Sequence, residues 1–220
     1  MNRSSPGRVS AALRKIKLAI NTAGGATLVA ASKQQSADKI RALFLEGQTA
    51  FGENYLQEAL EKMQRLRDCD IEWHFIGSIQ SNKTKLIAEN FSWVQSVDRF
   101  VIAKRLSDQR PPHLPPLNIC IEVNIDHEQT KSGVAPDAVA ELATQILSLK
   151  SLVLRGLMII PEKNHNDAFQ KAFLLYQQLI QHEFKLDTLS MGMSDDFEAA
   201  IKAGSTMVRI GTAIFGKRAR

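Results

Sequence analysis

The chain has 220 residues, which is enough to bury one substantial hydrophobic core, and we expect a single domain that spans residues 1–220. Its formal charge is +5, but part of the excess lies in the last residues, Lys217, Arg218 and Arg220. Because no basic run is interleaved with aromatic residues, the composition argues against a nucleic-acid partner.

The segment before the first predicted strand is amphipathic and predicts an extra N-terminal helix. Its apolar residues Val9, Leu13, Ile16 and Ile20 recur at helical spacing. After it, short β-rich runs alternate with longer segments of helical period, which is typical of parallel strands joined by helices. In chain order, the predicted strands are 27–32, 49–52, 72–76, 93–97, 117–123, 153–159, 188–190 and 207–210.

The predicted helices carry start and stop signals. Ser36 is placed to cap a helix that Gly47 ends, and Pro136 suits a first helical turn. Ser194 precedes two acidic residues, which predicts a cap followed by an acidic first turn.

The alternation of strands and helices predicts a closed (β/α)8 TIM barrel, since its eight units fit the roughly 200 residues of a short barrel. An open, doubly wound sheet is the alternative. Nothing after the first strand resembles GxGxxG, and eight strands suit closure better. Only ten residues follow Ile210, too few for a full outer helix. We expect the N-terminal helix to cover that part of the barrel.

Cysteine usage and hydropathy indicate where the protein works. Cys69 and Cys120 form no CxxC pair and no metal-ligand spacing, which favours a reducing compartment and no bound metal. The N-terminus lacks the apolar core of a signal peptide, and no apolar run approaches the ~18–20 residues of a membrane span. We therefore expect a cytoplasmic protein without a membrane partner.

In a barrel of this kind, binding residues collect at the carboxyl ends of the strands. Lys33 ends the first strand, and a lysine in a partly dry pocket can condense with an aldehyde, although strand-end lysines are more often solvated. Arg209 borders a buried strand and needs a partner, either a carboxylate such as Glu53 or an acceptor on a ligand. His74 is typical of a hydrogen-bonded core histidine.

The ends of the seventh and eighth strands predict a phosphate site. Ser194 at a helix start offers N–H groups to an anion, and Gly211 with Thr212 forms a loop that phosphate can approach closely. Each residue alone is more common as an ordinary cap or turn residue. Barrels often bind phosphate after these two strands, so their joint occurrence favours the functional interpretation.

Six segments, spread over nearly the whole chain, resemble the pyridoxal phosphate homeostasis proteins, also called the PLP-binding protein family. The last of them is far more specific than a short motif. They are LVAASK (28–33), FGENYLQE (51–58), WHFIGSIQSNK (73–83), VNIDHEQTKSG (123–133), GLMIIP (156–161) and the long block LSMGMSDDFEAAIKAGSTMVRIGTAIFGKR (189–218).

This resemblance implies a barrel of the alanine-racemase N-terminal type that binds pyridoxal 5′-phosphate (PLP) and has no established reaction. It implies that Lys33 holds PLP as a Schiff base and that Arg209 faces the pyridine nitrogen. The other implied contacts are the phosphate ligands Ser194, Gly211 and Thr212 and the pocket residues Asn54, Ser190 and Met193.

The chain departs from the family directly after Lys33. Gln34, Gln35 and Ser36 stand where family members often have a stretch rich in Lys and Thr that contains Pro. The departure argues against a second nearby lysine that relays the cofactor. Lys131 in EQTKSG matches another lysine common in the family, to which we assign no role.

We expect a non-catalytic, monomeric carrier or buffer that passes PLP to PLP-dependent apo-enzymes and so supports PLP and amino- and keto-acid balance. Two alternatives use the same Lys33: a PLP-dependent amino-acid racemase, and a lysine Schiff-base aldolase without PLP. A racemase needs a second base. One barrel accounts for the chain length and leaves no further domain to supply it, so Tyr55 is the internal candidate, since Tyr176 lies on the apolar face of an outer helix.

Overall fold

Eight parallel strands close into a barrel in which each strand pairs with the next along the chain. The computed structural model describes residues 6–126, 128, 131–162 and 167–216, so the basic tail residues Lys217, Arg218 and Arg220 lie outside it. The strands are β1 (Thr27–Ala31), β2 (Ala50–Glu53), β3 (Glu72–Phe75), β4 (Trp93–Val97), β5 (Leu117–Val123), β6 (Leu152–Ile159), β7 (Thr188–Ser190) and β8 (Met207–Ile210).

Pairing between the first and last strands closes the sheet. In this pairing, Val29 of β1 lies opposite Arg209 of β8. The predicted (β/α)8 barrel is therefore confirmed, and the open doubly wound sheet was the wrong alternative. Closure brings the carboxyl ends of all eight strands to one mouth, where the predicted binding residues meet.

Helices surround the strands. In the described part of the chain they are α1 (Pro6–Ala23), α2 (Ala37–Leu45), α3 (Leu56–Arg65), α4 (Thr84–Asn90), α5 (Phe100–Gln109), α6 (Val139–Leu147), α7 (Ala168–Gln181), α8 (Phe197–Lys202) and α9 (Thr212–Phe215). Ser36 caps α2 as predicted, since its side chain accepts a hydrogen bond from the N–H of Lys39. Pro136 opens a short 3-10 turn before α6, as its fixed φ favours.

The N-terminal helix α1 covers the part of the barrel where the last outer helix is short. Its predicted apolar face is buried at Val9, Leu13, Ile16 and Ile20. The helix packs against α2, α8 and α9, and α9 has only four residues. The predicted role of this helix in closing the outer layer is confirmed.

Four strand boundaries differ by one residue at one or both ends. The predicted strand 27–32 ends at Ala31, because Ser32 starts a turn in which the N–H of Gln35 donates to its carbonyl. The predicted strands 49–52, 72–76 and 153–159 lie at Ala50–Glu53, Glu72–Phe75 and Leu152–Ile159. Such shifts are typical of strand ends, where pairing stops gradually, and the other four strands have the predicted bounds.

The helix predicted to begin at Ser194 begins three residues later, so that prediction was wrong. α8 begins at Phe197, because the carboxylate of Asp196 accepts the N–H of Met193 at 2.6 Å and Asp196 itself has a non-helical φ of −137°. Residues 194–196 therefore form a turn before the helix, and Ser194 does not cap α8.

The barrel interior has an apolar middle and a polar upper layer. A small cluster of buried apolar residues fills the middle, formed by Val29, Ala50, Trp93, Cys120, Met158 and Met207. The larger core lies between the strands and the helices. Toward the carboxyl mouth, Ser190 and Arg209 replace apolar side chains in the interior, and both are buried.

Metal-ligand clusters and membrane-spanning helices are both absent from the described ranges. There, no group of three or more His, Cys, Asp or Glu side chains is placed to hold a metal ion. No helix in that part of the chain combines the length and apolarity needed to cross a bilayer.

Candidate functional site

A cavity of about 230 Å³ opens at the carboxyl mouth of the barrel. Of the eight predicted binding residues, only Ser190 does not line it; Ser190 lies behind the guanidinium of Arg209. The lining consists of Ala31, Lys33, Gln35, Asn54, Ile76, Ile160, Met193, Ser194, Asp195, Arg209, Gly211, Thr212 and Gly216. The fold therefore brings together residues that lie far apart in the sequence.

Lys33 reaches the cavity from a turn that follows β1. Every second side chain of a strand lies on the same face, so Lys33 continues the face that carries Val29 and Ala31. Ala31 also lines the cavity. The next residue, Gln34, has a φ of 61°, which is uncommon for a residue with a side chain. Its N–H donates to Oε1 of Glu58 at 2.5 Å, so a carboxylate of α3 holds this strained turn in place.

A buried lysine of α3, which the sequence analysis missed, secures the same turn. The Nζ of Lys62 donates to the carbonyl of Ser32 at 2.7 Å and lies 2.7 Å from Oε1 of Glu53 and 2.6 Å from Oε1 of Glu58. The spacing of Glu58 and Lys62, four residues apart on a helix, was the available signal. Burial raises the pKa of Glu53, and the ammonium of Lys62 opposes that rise.

Arg209 is 5% exposed and borders the cavity from β8. Its Nη1 donates to Oγ of Ser190 at 2.6 Å, and its Nη2 donates to the carbonyl of Ile159 at 2.9 Å. Glu53, considered as a carboxylate partner for Arg209, instead pairs with Lys62, because α3 places that ammonium beside it. Burial lowers the pKa of Arg209 to about 10, so its guanidinium is charged at neutral pH.

The loop after β7 is fixed to β8 and α9. The N–H of Arg209 donates to the carbonyl of Gly192, whose φ of 96° suits glycine, and a Cβ there would press on Ala200 at 2.6 Å. The Oγ of Ser194 accepts the N–H of Ala213 at 3.1 Å. This bond joins the two loops that were predicted to hold phosphate, and it brings the hydroxyl of Ser194 to the same wall as Thr212.

Asn54 carries a polar atom without a partner at the cavity. Its Oδ1 is buried and has no hydrogen bond to any described residue. A buried acceptor without a donor costs free energy, so a ligand that donates a hydrogen bond here gains binding energy.

Glu122 places a second charge near Arg209 in the upper layer of the barrel. It is buried on β5, and this burial, with a smaller effect from the carboxylate of Asp98, raises its pKa to about 7. The positive charge of Arg209 opposes the rise. The pKa of Glu122 therefore lies near neutral pH, well above the usual range of a carboxyl group.

Comparison with known proteins agrees with the barrel fold. The family model described as "Alanine racemase, N-terminal domain" matches residues 8–219. A structure of PipY from Synechococcus elongatus with PLP bound covers 94% of this chain and 100% of its own, with 31% identity and a TM-score of 0.86. Alanine racemase from Corynebacterium glutamicum is 17% identical, and the match covers 98% of this chain and 62% of the racemase with a TM-score of 0.77. At this identity, the similarity shows only that the two proteins share a fold.

Curated relatives narrow the family. A protein of Pseudomonas aeruginosa is 55% identical over 193 residues, which are 87% of this chain and 84% of the relative. A protein of Haemophilus influenzae is 51% identical over 200 residues, also 87% and 84% of the two chains. Both relatives are named pyridoxal phosphate homeostasis protein. The chain belongs to the alanine racemase N-terminal domain family and, within it, to the pyridoxal phosphate homeostasis proteins.

The raised pKa of Glu122 predicts a pH-dependent loss of stability. Between pH 4.5 and about 7 the folded protein binds more protons at this group than the unfolded chain does, so stability falls as pH rises through this window. Replacing the carboxyl by an amide removes this loss. The measurement is a urea titration of the cofactor-free protein, which gives the change in the free energy of unfolding that Glu122→Gln causes. This change should be more favourable at pH 8 than at pH 4.5 by up to about 3 kcal/mol.

The control for this prediction is Glu61→Gln, which changes an exposed carboxyl of α3. Because surface substitutions of this kind have small effects, it should change the free energy of unfolding relative to the wild type by less than about 0.5 kcal/mol. Equal effects of Glu122→Gln at pH 4.5 and pH 8 would contradict the assignment.

Proposed function

We propose that the protein binds PLP covalently through Lys33 and acts as a carrier or buffer that passes the cofactor to PLP-dependent apo-enzymes. The proposal rests on one cavity, which is lined by Lys33, by the buried cation of Arg209 and by the loops that bear the hydroxyls of Ser194 and Thr212. The names of the relatives and the PLP in the PipY structure support it. We further propose that the protein is a cytoplasmic monomer that supports amino- and keto-acid balance.

The residues fit the three functional groups of PLP. A primary amine suits the aldehyde, a charged guanidinium suits the pyridine nitrogen, and hydroxyls beside a close-fitting loop suit the phosphate. The fit at Gly211 is close, because a Cβ there would come within 3.0 Å of the carbonyl oxygen of Ala31. The unpartnered Oδ1 of Asn54 would accept a hydrogen bond from the ligand.

When bound, PLP supplies an aldehyde that condenses with primary amines and a ring that can withdraw electrons. The described residues contribute binding and orientation. Lys33 holds the cofactor, Ser194, Gly211 and Thr212 bind its phosphate, and Asn54 and Met193 form the wall, while Ser190 supports Arg209. Because a guanidinium only donates hydrogen bonds, Arg209 keeps the ring nitrogen unprotonated, which weakens electron withdrawal.

The cavity wall favours a carrier over a racemase. Racemisation needs two bases on opposite faces of the reacting carbon. Among the described residues that line the cavity, none is a histidine, cysteine or tyrosine, and the only carboxylate is that of Asp195 on the exposed loop after β7. Tyr55 lies just past β2 and is 55% exposed, while Tyr176 is buried in α7.

The covalent attachment is tested by trapping. Incubation with PLP followed by borohydride reduction should yield a modified peptide that contains Lys33, because this lysine lines the cavity. Lys33→Ala should lose the visible absorbance, whereas Lys85→Ala, a change of a side chain 71% exposed on α4, should keep it. A trapped adduct on Lys131 or Lys83 instead would overturn the assignment.

The choice between carrier and racemase is tested by hydrogen exchange. The PLP-loaded protein should not exchange the α-hydrogen of L- or D-amino acids in deuterated water above the rate of free PLP, because Arg209 weakens the ring as an electron acceptor and the one carboxylate among the described lining residues, that of Asp195, lies on an exposed loop. An alanine racemase serves as the positive control. Exchange that is abolished in both Lys33→Ala and Tyr55→Phe would make the protein a racemase, with Tyr55 as the second base.

A further inference from the structure

A continuous chain of side-chain hydrogen bonds crosses the barrel interior from Arg209 to the opposite wall. Nη1 of Arg209 donates to Oγ of Ser190 at 2.6 Å, and that hydroxyl donates to Oε1 of Gln95 at 2.7 Å. Nε2 of Gln95 lies 2.9 Å from Nδ1 of His74, whose Nε2 lies 2.9 Å from Oε1 of Glu72. The chain thus links β8 and β7 to β4 and β3.

The chemistry of these groups gives the chain one direction. A guanidinium only donates, so the Oγ of Ser190 accepts from Arg209 and has its own proton left for Gln95. The Nε2 of Gln95 also lies 3.2 Å from the Sδ of Met207, and a thioether sulfur only accepts. The amide nitrogen of Gln95 must therefore face Met207 and His74, and its oxygen must face Ser190.

This orientation fixes the protonation state of His74. Its Nδ1 faces an N–H donor, so it carries no proton, and the ring proton must lie on Nε2, where it is donated to Glu72. Burial lowers the pKa of His74, against the opposing effect of Glu72. Every donor in the chain therefore points from the cavity toward the carboxylate of Glu72.

Of the groups that face His74, only the carboxylate of Glu72 favours a charged ring. Glu72 lies on the same strand, Gln95 faces it from β4, and Trp93 stacks on it with ring centroids 5.1 Å apart. Beyond Trp93 lies the guanidinium of Arg155, 4.7 Å from the centroid of the Trp93 ring and paired with Asp187. Burial outweighs the effect of Glu72 and keeps the ring of His74 neutral.

We propose that Gln95, His74 and Glu72 are positioning residues that act through Ser190 to hold the guanidinium of Arg209 in a single orientation toward the cavity. The inference rests on the proposed function, in which PLP lies there. His74 and Gln95 are both fully buried, whereas the side chain of Glu72 at the end of the chain is 45% exposed. A chain in which every member is hydrogen-bonded restricts the rotamers of its buried members. The chain thereby sets the strength with which Arg209 interacts with the cofactor ring.

Each bond of the chain depends on the next. Without the acceptor oxygen of Gln95, the hydroxyl proton of Ser190 has no fixed direction, and its lone pairs no longer point reliably at Arg209. Without His74, the amide of Gln95 loses the acceptor that helps to orient it. A packing role alone would make the same residues matter for stability but not for the cofactor spectrum.

The first test uses the protein without cofactor. Long-range 1H–15N correlation spectra of the wild type should show His74 as a neutral ring protonated at Nε2. The Gln95→Leu variant should lose this single tautomer or exchange the ring proton faster. A wild-type His74 protonated at Nδ1, or at both nitrogens at neutral pH, would contradict the directed chain, and this result does not depend on any variant folding.

The second test uses the PLP-loaded protein. In Gln95→Leu and in His74→Phe, which keeps a ring against Trp93, the pH midpoint of the visible band should shift in the same direction by about one unit. Neither variant removes the bond from the charged Arg209 to Ser190, but each should weaken it, and a partial loss of a hydrogen bond to a charged group corresponds to roughly a tenfold change in an equilibrium. The control Ser96→Ala removes a neighbouring buried hydroxyl that donates to the carbonyl of Gly77 at 2.5 Å, and it should leave the midpoint unchanged.

Borohydride trapping separates failure of the inference from failure of the proposed function. If Lys33 is labelled in the wild type and in both variants but their midpoints match the wild type, the positioning role is wrong and the binding function stands. If the wild type itself shows no adduct at Lys33, the proposed function fails. A shift of equal size in Ser96→Ala would assign the effect to general packing.

Discussion

The charge of Arg209 lies inside a closed parallel barrel, where a cation without partners would cost several kcal/mol. Closure through β1 and β8 places this residue in the upper layer of the interior, opposite Val29. Two neutral acceptors, the hydroxyl of Ser190 and the carbonyl of Ile159, take two of its five N–H groups. Arg209 keeps its charge at neutral pH despite its burial, and it borders the cavity lined by the other predicted binding residues except Ser190.

Two lysines lie near the end of β1, and their surroundings give them different roles. The ammonium of Lys62 is held by the carbonyl of Ser32 and by the carboxylates of Glu53 and Glu58, so it serves the structure of the turn. Lys33 lies on that turn and lines the cavity. The contacts of Lys62 and Glu58 hold the strained backbone of the turn on which Lys33 lies. Lys62 therefore has a structural role that supports Lys33, the proposed binding lysine.

Much of the fold follows from residue patterns. The period of the apolar residues locates α1 and all eight strands, and the end of each strand locates the rim that carries Lys33, Asn54 and Arg209. Those patterns hold because burial on one or both faces demands them. The start of α8 was misplaced because the side chain of Asp196 turns back to the N–H of Met193, and Ser194 alone resembles an ordinary cap.

The tertiary partners were beyond the reach of local patterns. No sequence period indicates that Glu53 meets Lys62 and not Arg209, or that Ser190 contacts Gln95 across the barrel. These contacts depend on which strands face one another after closure, and they form only at the level of the whole barrel. The resemblance to a known family supplied the identity of the cofactor, because an amine, a guanidinium and hydroxyls suit more than one phosphorylated aldehyde.

We expect the carboxyl rim of this barrel to bind an aldehyde that also carries a phosphate. The most direct measurement is a pair of titrations of the cofactor-free protein, one with PLP and one with pyridoxal, followed by visible absorbance. Charge-assisted bonds contribute roughly 1.5–3 kcal/mol each, so losing two of those expected from Ser194, Gly211 and Thr212 should weaken binding of pyridoxal by about two orders of magnitude or more. Equal affinities for PLP and pyridoxal would show that the loops of Ser194, Gly211 and Thr212 do not bind the phosphate.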